Sequence, residues 1–156
     1  MTITFDALGV APDLAGALAE RGITTAFPIQ QLTIADALAG RDVCGKAKTG
    51  SGKTLAFGLP VLQMVKPADS RKPRAIILVP TRELATQVRD ELAPVGAVRD
   101  LKVAAIYGGA DIEKQIKKIK AGVASRGAEV SEKQVQQAAR DSVRAIMMIR
   151  AYRMRG

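Results

Sequence analysis

Ala47-Lys48-Thr49-Gly50-Ser51-Gly52-Lys53-Thr54 decides the fold of this chain. It is a small residue, four more, then Gly-Lys-Thr, entered from the apolar Val43-Cys44-Gly45 and followed by an apolar run from Leu55. Glycines let consecutive backbone N–H groups turn inward and cradle phosphate oxygens. A helix starting near Gly52 adds the positive end of its dipole. In this pattern Lys53 reaches the outer phosphates and the Thr54 hydroxyl is placed to ligate Mg²⁺. An ordinary Gly-rich turn could carry the same glycines. The strand–loop–helix context separates the two readings, so Lys48, Thr49, Gly50, Ser51, Gly52, Lys53 and Thr54 are the expected nucleotide-binding loop.

Working outward, strands and helices alternate. Cap and breaker signals predict helices over 11–21, 29–38, 53–65, 81–95 and 112–120. Residues 42–46, 74–79 and 102–106 read as strands; the continuous apolar Ala75-Ile76-Ile77-Leu78-Val79 suits a parallel sheet buried on both faces. The order predicts an α/β layered fold, with a polar loop at 67–73. A last helix, expected from Ser131 to about Met154 and roughly 35 Å long, carries the stripe Val135, Ala138, Ala139, Val143, Ala145, Ile146, Ile149 and Tyr152. A stripe that wide is expected to cover a sheet face or a second chain.

The flanking blocks narrow the family. Gly22-Ile23-Thr24-Thr25-Ala26-Phe27-Pro28-Ile29-Gln30 precedes the loop, with Phe5 further upstream. Pro80-Thr81-Arg82-Glu83-Leu84 and Gln87 follow it, then Tyr107-Gly108-Gly109. In order and spacing, residues 3–122 closely resemble the first RecA-like domain of DEAD-box ATP-dependent RNA helicases. The resemblance implies that Gln30 reads the adenine edge of ATP or ADP and that Phe5 packs on the adenine ring. It implies too that Pro80, Thr81, Arg82, Gly108 and Gly109 touch RNA backbone. Ala26 departs from the proline usual in the family, while Pro28-Ile29-Gln30 follows intact.

The Thr-Pro-Gly-Arg, Asp-Glu-Ala-Asp and Ser-Ala-Thr segments of that family do not follow in this sequence. Residues 127–156, above all 139–156, instead resemble a helical segment of the E1 component of 2-oxoglutarate dehydrogenase, without its thiamine-diphosphate site. The expectation is a chimera: a truncated RecA-like domain, 1–122, joined through 122–127 to a foreign helix within 123–156. A natural, diverged helicase fragment is the alternative. By the resemblance, two strands expected between the P-loop strand and the Pro-Thr-Arg-Glu strand are missing. The expected fold is therefore a P-loop NTPase-like, RecA-like partial parallel sheet of about three strands flanked by helices, plus the long C-terminal helix. Free edges then favour a homodimer.

Composition sets outer limits. The chain has 156 residues, a net charge of +9 and an apolar fraction of 47% with only 3% aromatic. That is one domain with an aliphatic core. The charge suits a polyanionic partner such as RNA, although Lys114, Lys117, Lys118 and Lys120 follow helical spacing and also suit a solvated face. Cys44 is the single cysteine, expected buried and inert, and rules out an intrachain disulfide; this fits a reducing, cytoplasmic setting. The absence of histidine excludes His-based triads, histidine metal sites and histidine general bases. No long apolar run or basic-then-apolar leader occurs. Three functions remain open: an adenine-nucleotide-binding domain with Mg²⁺, a nonspecific basic RNA-binding fragment, and a folded chimera with no activity. The family's catalytic carboxylate and its second-domain arginines have no counterpart in this sequence. Robust hydrolysis and unwinding are therefore not expected, and no catalytic residue is assigned.

Overall fold

The computed structural model describes residues 3–65, 74–108 and 113–115. Four helices carry the architecture: α1 (Pro12–Ala19), α2 (Pro28–Leu38), α3 (Lys53–Met64) and α4 (Arg82–Ala97). A 3₁₀ turn at Asp6–Leu8 precedes them. Each start has a local cause. Pro12 and Pro28 occupy the first turn of α1 and α2, where a missing N–H costs nothing. The Thr81 hydroxyl accepts from the Leu84 N–H at 3.2 Å and caps α4. Gly52 enters α3 in the left-handed region, with φ +79°. All four helices fall where the sequence predicts them, within two residues at each end.

The helices pack in succession. α2 packs most extensively on α3, α3 on α4, and α4 on α1. The core is aliphatic, as the composition requires. Leu14, Leu18, Ile34 and Leu59 are fully buried at its centre, together with Leu92 and Val95, and Phe5 and Val10 close it from the N-terminal side. α3 and α4 approach closely at Gly58, where any Cβ would collide with Cδ2 of Leu92.

The expected strands are where structure and sequence part. Among the described residues no strand ladder forms, and the only bridge is antiparallel, between Thr4 and Thr25. Segments 43–47, 75–79 and 101–107 nevertheless lie against the helices. Ile77, Val79, Leu101 and Val103 pack on the core. From Leu101 to Tyr107 burial alternates residue by residue, the period of a strand with one covered face. The other face is open, leaving Val43, Ile76 and Ile106 at 42%, 47% and 61% exposure. Cys44 is exposed as well, which corrects the expectation of a buried thiol. Gly45 lies against Ile29 and Thr33 of α2, and among the described residues nothing encloses the other side of this segment, where Val43 and Cys44 are exposed. The physical reason is pairing: a strand is fixed by its neighbours, and these three segments do not find one another. The polar loop at 67–73, the junction at 122–127 and the helix expected at 131–154 lie outside the described residues, as does most of 112–120.

A polar clasp holds the N-terminal block to the helices. Arg99 donates to both carboxylate oxygens of Asp13, at 2.6 and 2.7 Å, and to the Gln63 carbonyl at 3.1 Å. The Gln63 side chain accepts from the Ala11 N–H at 2.8 Å and donates to the Gly9 carbonyl at 2.8 Å. The Arg99 guanidinium holds the Asp13 carboxyl below the usual carboxylate range, and Asp13 raises Arg99 in turn.

Leu92→Ala should lower stability by about 2–5 kcal/mol, read from the urea midpoint, because it empties a fully enclosed site between α3 and α4. The Asp13–Arg99 pair stabilises the fold fully above the unfolded aspartate pKa of about 4. That contribution is lost as pH falls through the lower folded value. Melting curves recorded from pH 7 to pH 2 should show this acid-dependent loss in the wild type and a smaller one in Arg99→Gln.

Candidate nucleotide-binding site

The candidate phosphate-binding loop is built where segment 43–47 turns into α3. Gly50 and Gly52 both have positive φ, +78° and +79°, which only glycine adopts without strain. The loop is held by its own groups. The Ser51 hydroxyl donates to the Lys48 carbonyl at 2.7 Å. The Lys53 ammonium donates to the carbonyls of Ala47 and Lys48, both at 2.6 Å. Lys53 therefore lies curled under the loop, satisfied by backbone oxygens, and among the described residues no carboxylate pairs with it. Thr54 follows, half-buried in the first turn of α3, and Lys48, Thr49 and Gly50 are all exposed at the surface of the loop. The N–H groups of this first turn have no carbonyl partner within the helix. Free helix donors, an ammonium with no carboxylate and a hydroxyl together make a donor set suited to a phosphate chain with its Mg²⁺.

Gln30 is tied directly to this loop. Its side chain is 1% exposed, with both ends engaged. Oε1 accepts from the Phe27 N–H at 2.8 Å, satisfying an orphan donor at the start of α2. Nε2 donates to the Gly52 carbonyl at 2.9 Å. Among the described residues, a second N–H and a second lone pair of this amide have no further partner. Gly52 is indispensable to the arrangement: a Cβ there would collide with Gln30 Nε2 and stand 2.7 Å from Cδ2 of Phe27.

Phe5, expected to pack on an adenine ring, lies in the core at 2% exposure. Its ring is packed among residues such as Val10 and Leu14 and has no face free for a ligand. The aromatic side chain that does stand open beside the loop is Phe27, at 53% exposure. The sequence signal for it is its place three residues before Gln30, which puts it at the N-cap of α2.

A second surface gathers the residues downstream. Pro80, Thr81, Arg82 and Gly108 are all exposed, and Gly109 lies outside the described residues. Arg82, Glu83, Thr86 and Tyr107 line an open cleft of about 470 Å³. Arg82 Nε pairs with Glu83 Oε1 at 2.7 Å, which holds the Glu83 carboxyl below its ordinary range. The Tyr107–Gly108 corner is fixed by Gln115, which the sequence reading does not single out. Its amide accepts from the Tyr107 N–H and donates to the Tyr107 carbonyl, each at 3.0 Å.

The pattern of the DEAD/DEAH box helicase family matches residues 27–138. The chain belongs to this family. The match spans Gln30, the phosphate loop and the Arg82 cleft, and it runs past the junction expected at 122–127. DEAD-box ATP-dependent RNA helicases named CshA are similar: that of Streptococcus pneumoniae is 45% identical over 118 residues, covering 76% of this chain and 22% of the relative. The Bacillus subtilis protein is 46% identical over 120 residues, covering 77% and 24%. The chain thus spans about a quarter or less of the length of these curated relatives. Among solved structures, a DEAD box protein from Methanococcus jannaschii superposes with a TM-score of 0.68 at 37% identity, covering 74% of this chain and 32% of that one. The RNA helicase Prp28 from Chaetomium thermophilum, bound to ADP, gives 0.67 at 35% identity, covering 74% and 29%. These DEAD-box neighbours support the RecA-like, P-loop NTPase-like class, although no sheet is formed among the described residues.

Gly52→Ala should cost about 1–2 kcal/mol for the left-handed backbone alone, and more where Gln30 is displaced. Melting temperature and the α2-to-loop amide protection seen by hydrogen exchange should both fall. Gly16→Ala, in an open part of α1, should leave them intact or raised.

Proposed function

We propose that this chain binds an adenine nucleotide, ATP or ADP with Mg²⁺, through the loop Lys48–Thr54 and the Gln30 corner. The observation that carries this reading is the donor set at the start of α3. Gly50 and Gly52 hold the loop open, Lys53 has only backbone oxygens to leave, and Thr54 sits in the first turn. When bound, Mg²⁺ would neutralise phosphate charge, with Thr54 as the chain's ligand to it. Lys53 would exchange its two carbonyl partners for phosphate oxygens. The spare donor and acceptor of Gln30 suit the edge of adenine once the amide becomes accessible. Prp28, a structural neighbour, is an ADP complex, which supports adenine over other bases.

Calorimetry with ADP and Mg²⁺ tests this. Binding is expected in the micromolar to millimolar range, about −8 to −4 kcal/mol, and should vanish in Lys53→Ala. A wild-type chain giving no more heat than that variant would overturn the reading.

The cleft at Arg82 favours a second activity, nonspecific RNA binding. Arg82 presents a guanidinium at an exposed, polar surface of a chain with net charge +9. RNA phosphate would compete with Glu83 for it. Dbp5 from S. cerevisiae, solved with RNA and ADP BeF3, is another neighbour, with a TM-score of 0.53 at 32% identity. Filter binding at two salt concentrations should show affinity falling steeply with salt, and Arg82→Ala should lower the slope by about one. Hydrolysis and unwinding form no part of this proposal. The dehydrogenase-like origin of 139–156 and a homodimer are kept as readings from the sequence alone; the open apolar positions Val43, Ile76 and Ile106 are consistent with the dimer.

A further inference from the structure

The Arg82 cleft draws its walls from two distant stretches of sequence. Arg82, Glu83 and Thr86 come from the start of α4, and Tyr107 comes from the end of segment 101–107. The α4 wall is secured by the Thr81 cap and by the burial of Val88 and Leu92 further along the same helix. The Tyr107 wall has no such support. A residue at the end of a strand is ordinarily held by its ladder, and among the described residues segment 101–107 joins none. Gln115 supplies the missing pair of bonds. Its Oε1 accepts from the Tyr107 N–H and its Nε2 donates to the Tyr107 carbonyl, each at 3.0 Å. Two antiparallel neighbours exchange the same two bonds; here one primary amide makes both, across eight residues. Gln115 and Tyr107 are half-buried, so water competes for these groups only in part.

We infer that Gln115 is a positioning residue for RNA binding at this cleft, acting through the Tyr107 peptide to hold Tyr107 and Gly108 as the wall opposite the start of α4. The inference rests on the RNA-binding reading of the cleft, and it adds a residue that does not itself line the cleft. Arg82 alone is a charge shared with Glu83, and a lone charge attracts any anion from any direction. A second wall gives the contact a direction. Tyr107 brings a hydroxyl that donates and accepts, and Gly108 an exposed backbone. Fixing that wall before the ligand arrives lowers the ordering cost of binding. Gln115 is neutral, so its contribution lies in this ordering and not in the number of phosphates neutralised.

Filter binding of a short oligouridylate RNA to the full chain decides it. The proteins compared are wild type, Arg82→Ala, Gln115→Leu and Gln115→Glu. Gln115→Leu loses both bonds and should weaken binding roughly 5- to 30-fold, one hydrogen bond being worth about a factor of five. Its salt slope should match the wild type, whereas Arg82→Ala should lower the slope by about one. Gln115→Glu gives a readout that a purely structural role would not move. As a carboxylate it accepts from the Tyr107 N–H but sets a second acceptor against the Tyr107 carbonyl. Once protonated it carries one acceptor and one O–H donor, as the amide does. Its affinity relative to wild type should therefore be low near neutral pH and recover as pH falls towards the carboxyl pKa, about 4.3 or higher beside a carbonyl. Arg82, Glu83, Glu113 and Lys114 are common to both proteins, so the ratio isolates position 115. Wild-type affinity in Gln115→Leu, a slope lowered as in Arg82→Ala, or a Gln115→Glu ratio that ignores pH overturns the inference while RNA binding stands. If Gln115→Leu does not fold, the Gln115→Glu ratio decides alone. A wild type that binds no RNA overturns both readings.

Discussion

One buried amide organises the half of this molecule that carries the loop Lys48–Thr54. Gln30 is 1% exposed and divides its two ends between the start of α2 and the start of α3. A buried polar group without partners costs about 1–3 kcal/mol, so the amide fixes both elements or is itself a liability. Because α2 and α3 form the most extensive helix pair, the orientation of the phosphate loop is inherited from this bridge. Ile34, Leu55 and Leu59 then fill the space between and beside the two helices. Packing and the proposed function meet in the same residue: the amide proposed to read a base also bridges the start of α2 to the loop proposed to hold the phosphates.

The helical half of the fold is legible in the sequence because helices are local. Pro12, Pro28 and Thr81 announce their starts within a few residues, and the apolar spacing of Leu55, Leu59 and Leu62 shows which face is buried. The phosphate loop is legible for the same reason, since Gly50 and Gly52 need their unusual backbone whatever surrounds them. The strands are not. Val43, Ile76 and Ile106 lie in segments with the composition of buried strands, but burial on both faces is a property of neighbours, and among the described residues only the helices cover these segments, on one side. Cys44 escapes a sequence reading by the same logic. Phe5 shows a subtler limit: its place in the sequence does not reveal that the fold encloses it at 2% exposure, because burial depends on the path of the chain around it. Gln115 is invisible because a side-chain amide gripping a peptide eight residues away leaves no periodic signature.

The two candidate surfaces differ in kind. The loop at Lys48–Thr54 is built from backbone donors and glycines, so its geometry is set by the fold and its chemistry by the peptide itself. The Arg82 cleft relies on exposed side chains, with a guanidinium shared between Glu83 and whatever anion arrives. Solvent screens an exposed pair of this sort, so Glu83 tempers the charge of Arg82 without blocking it. The first surface has the rigidity needed to discriminate a small ligand. The second has the looseness suited to a long polyanion met in many registers.

The Asp13–Arg99 clasp joins residues 86 positions apart in the chain. A contact of that span closes a large loop, and its entropic cost must be met before its hydrogen bonds can offset it. The phosphate-loop half draws instead on a contiguous stretch, from Phe27 to Met64, whose contacts are far more local. A chain emerging in order from its N-terminus can therefore assemble α2, the loop and α3 early. Its N-terminal block can by then reach Thr25 and Gln63, but the Asp13 carboxylate has no Arg99 to pair with until α4 is complete. The clasp is in this sense closed from its far end.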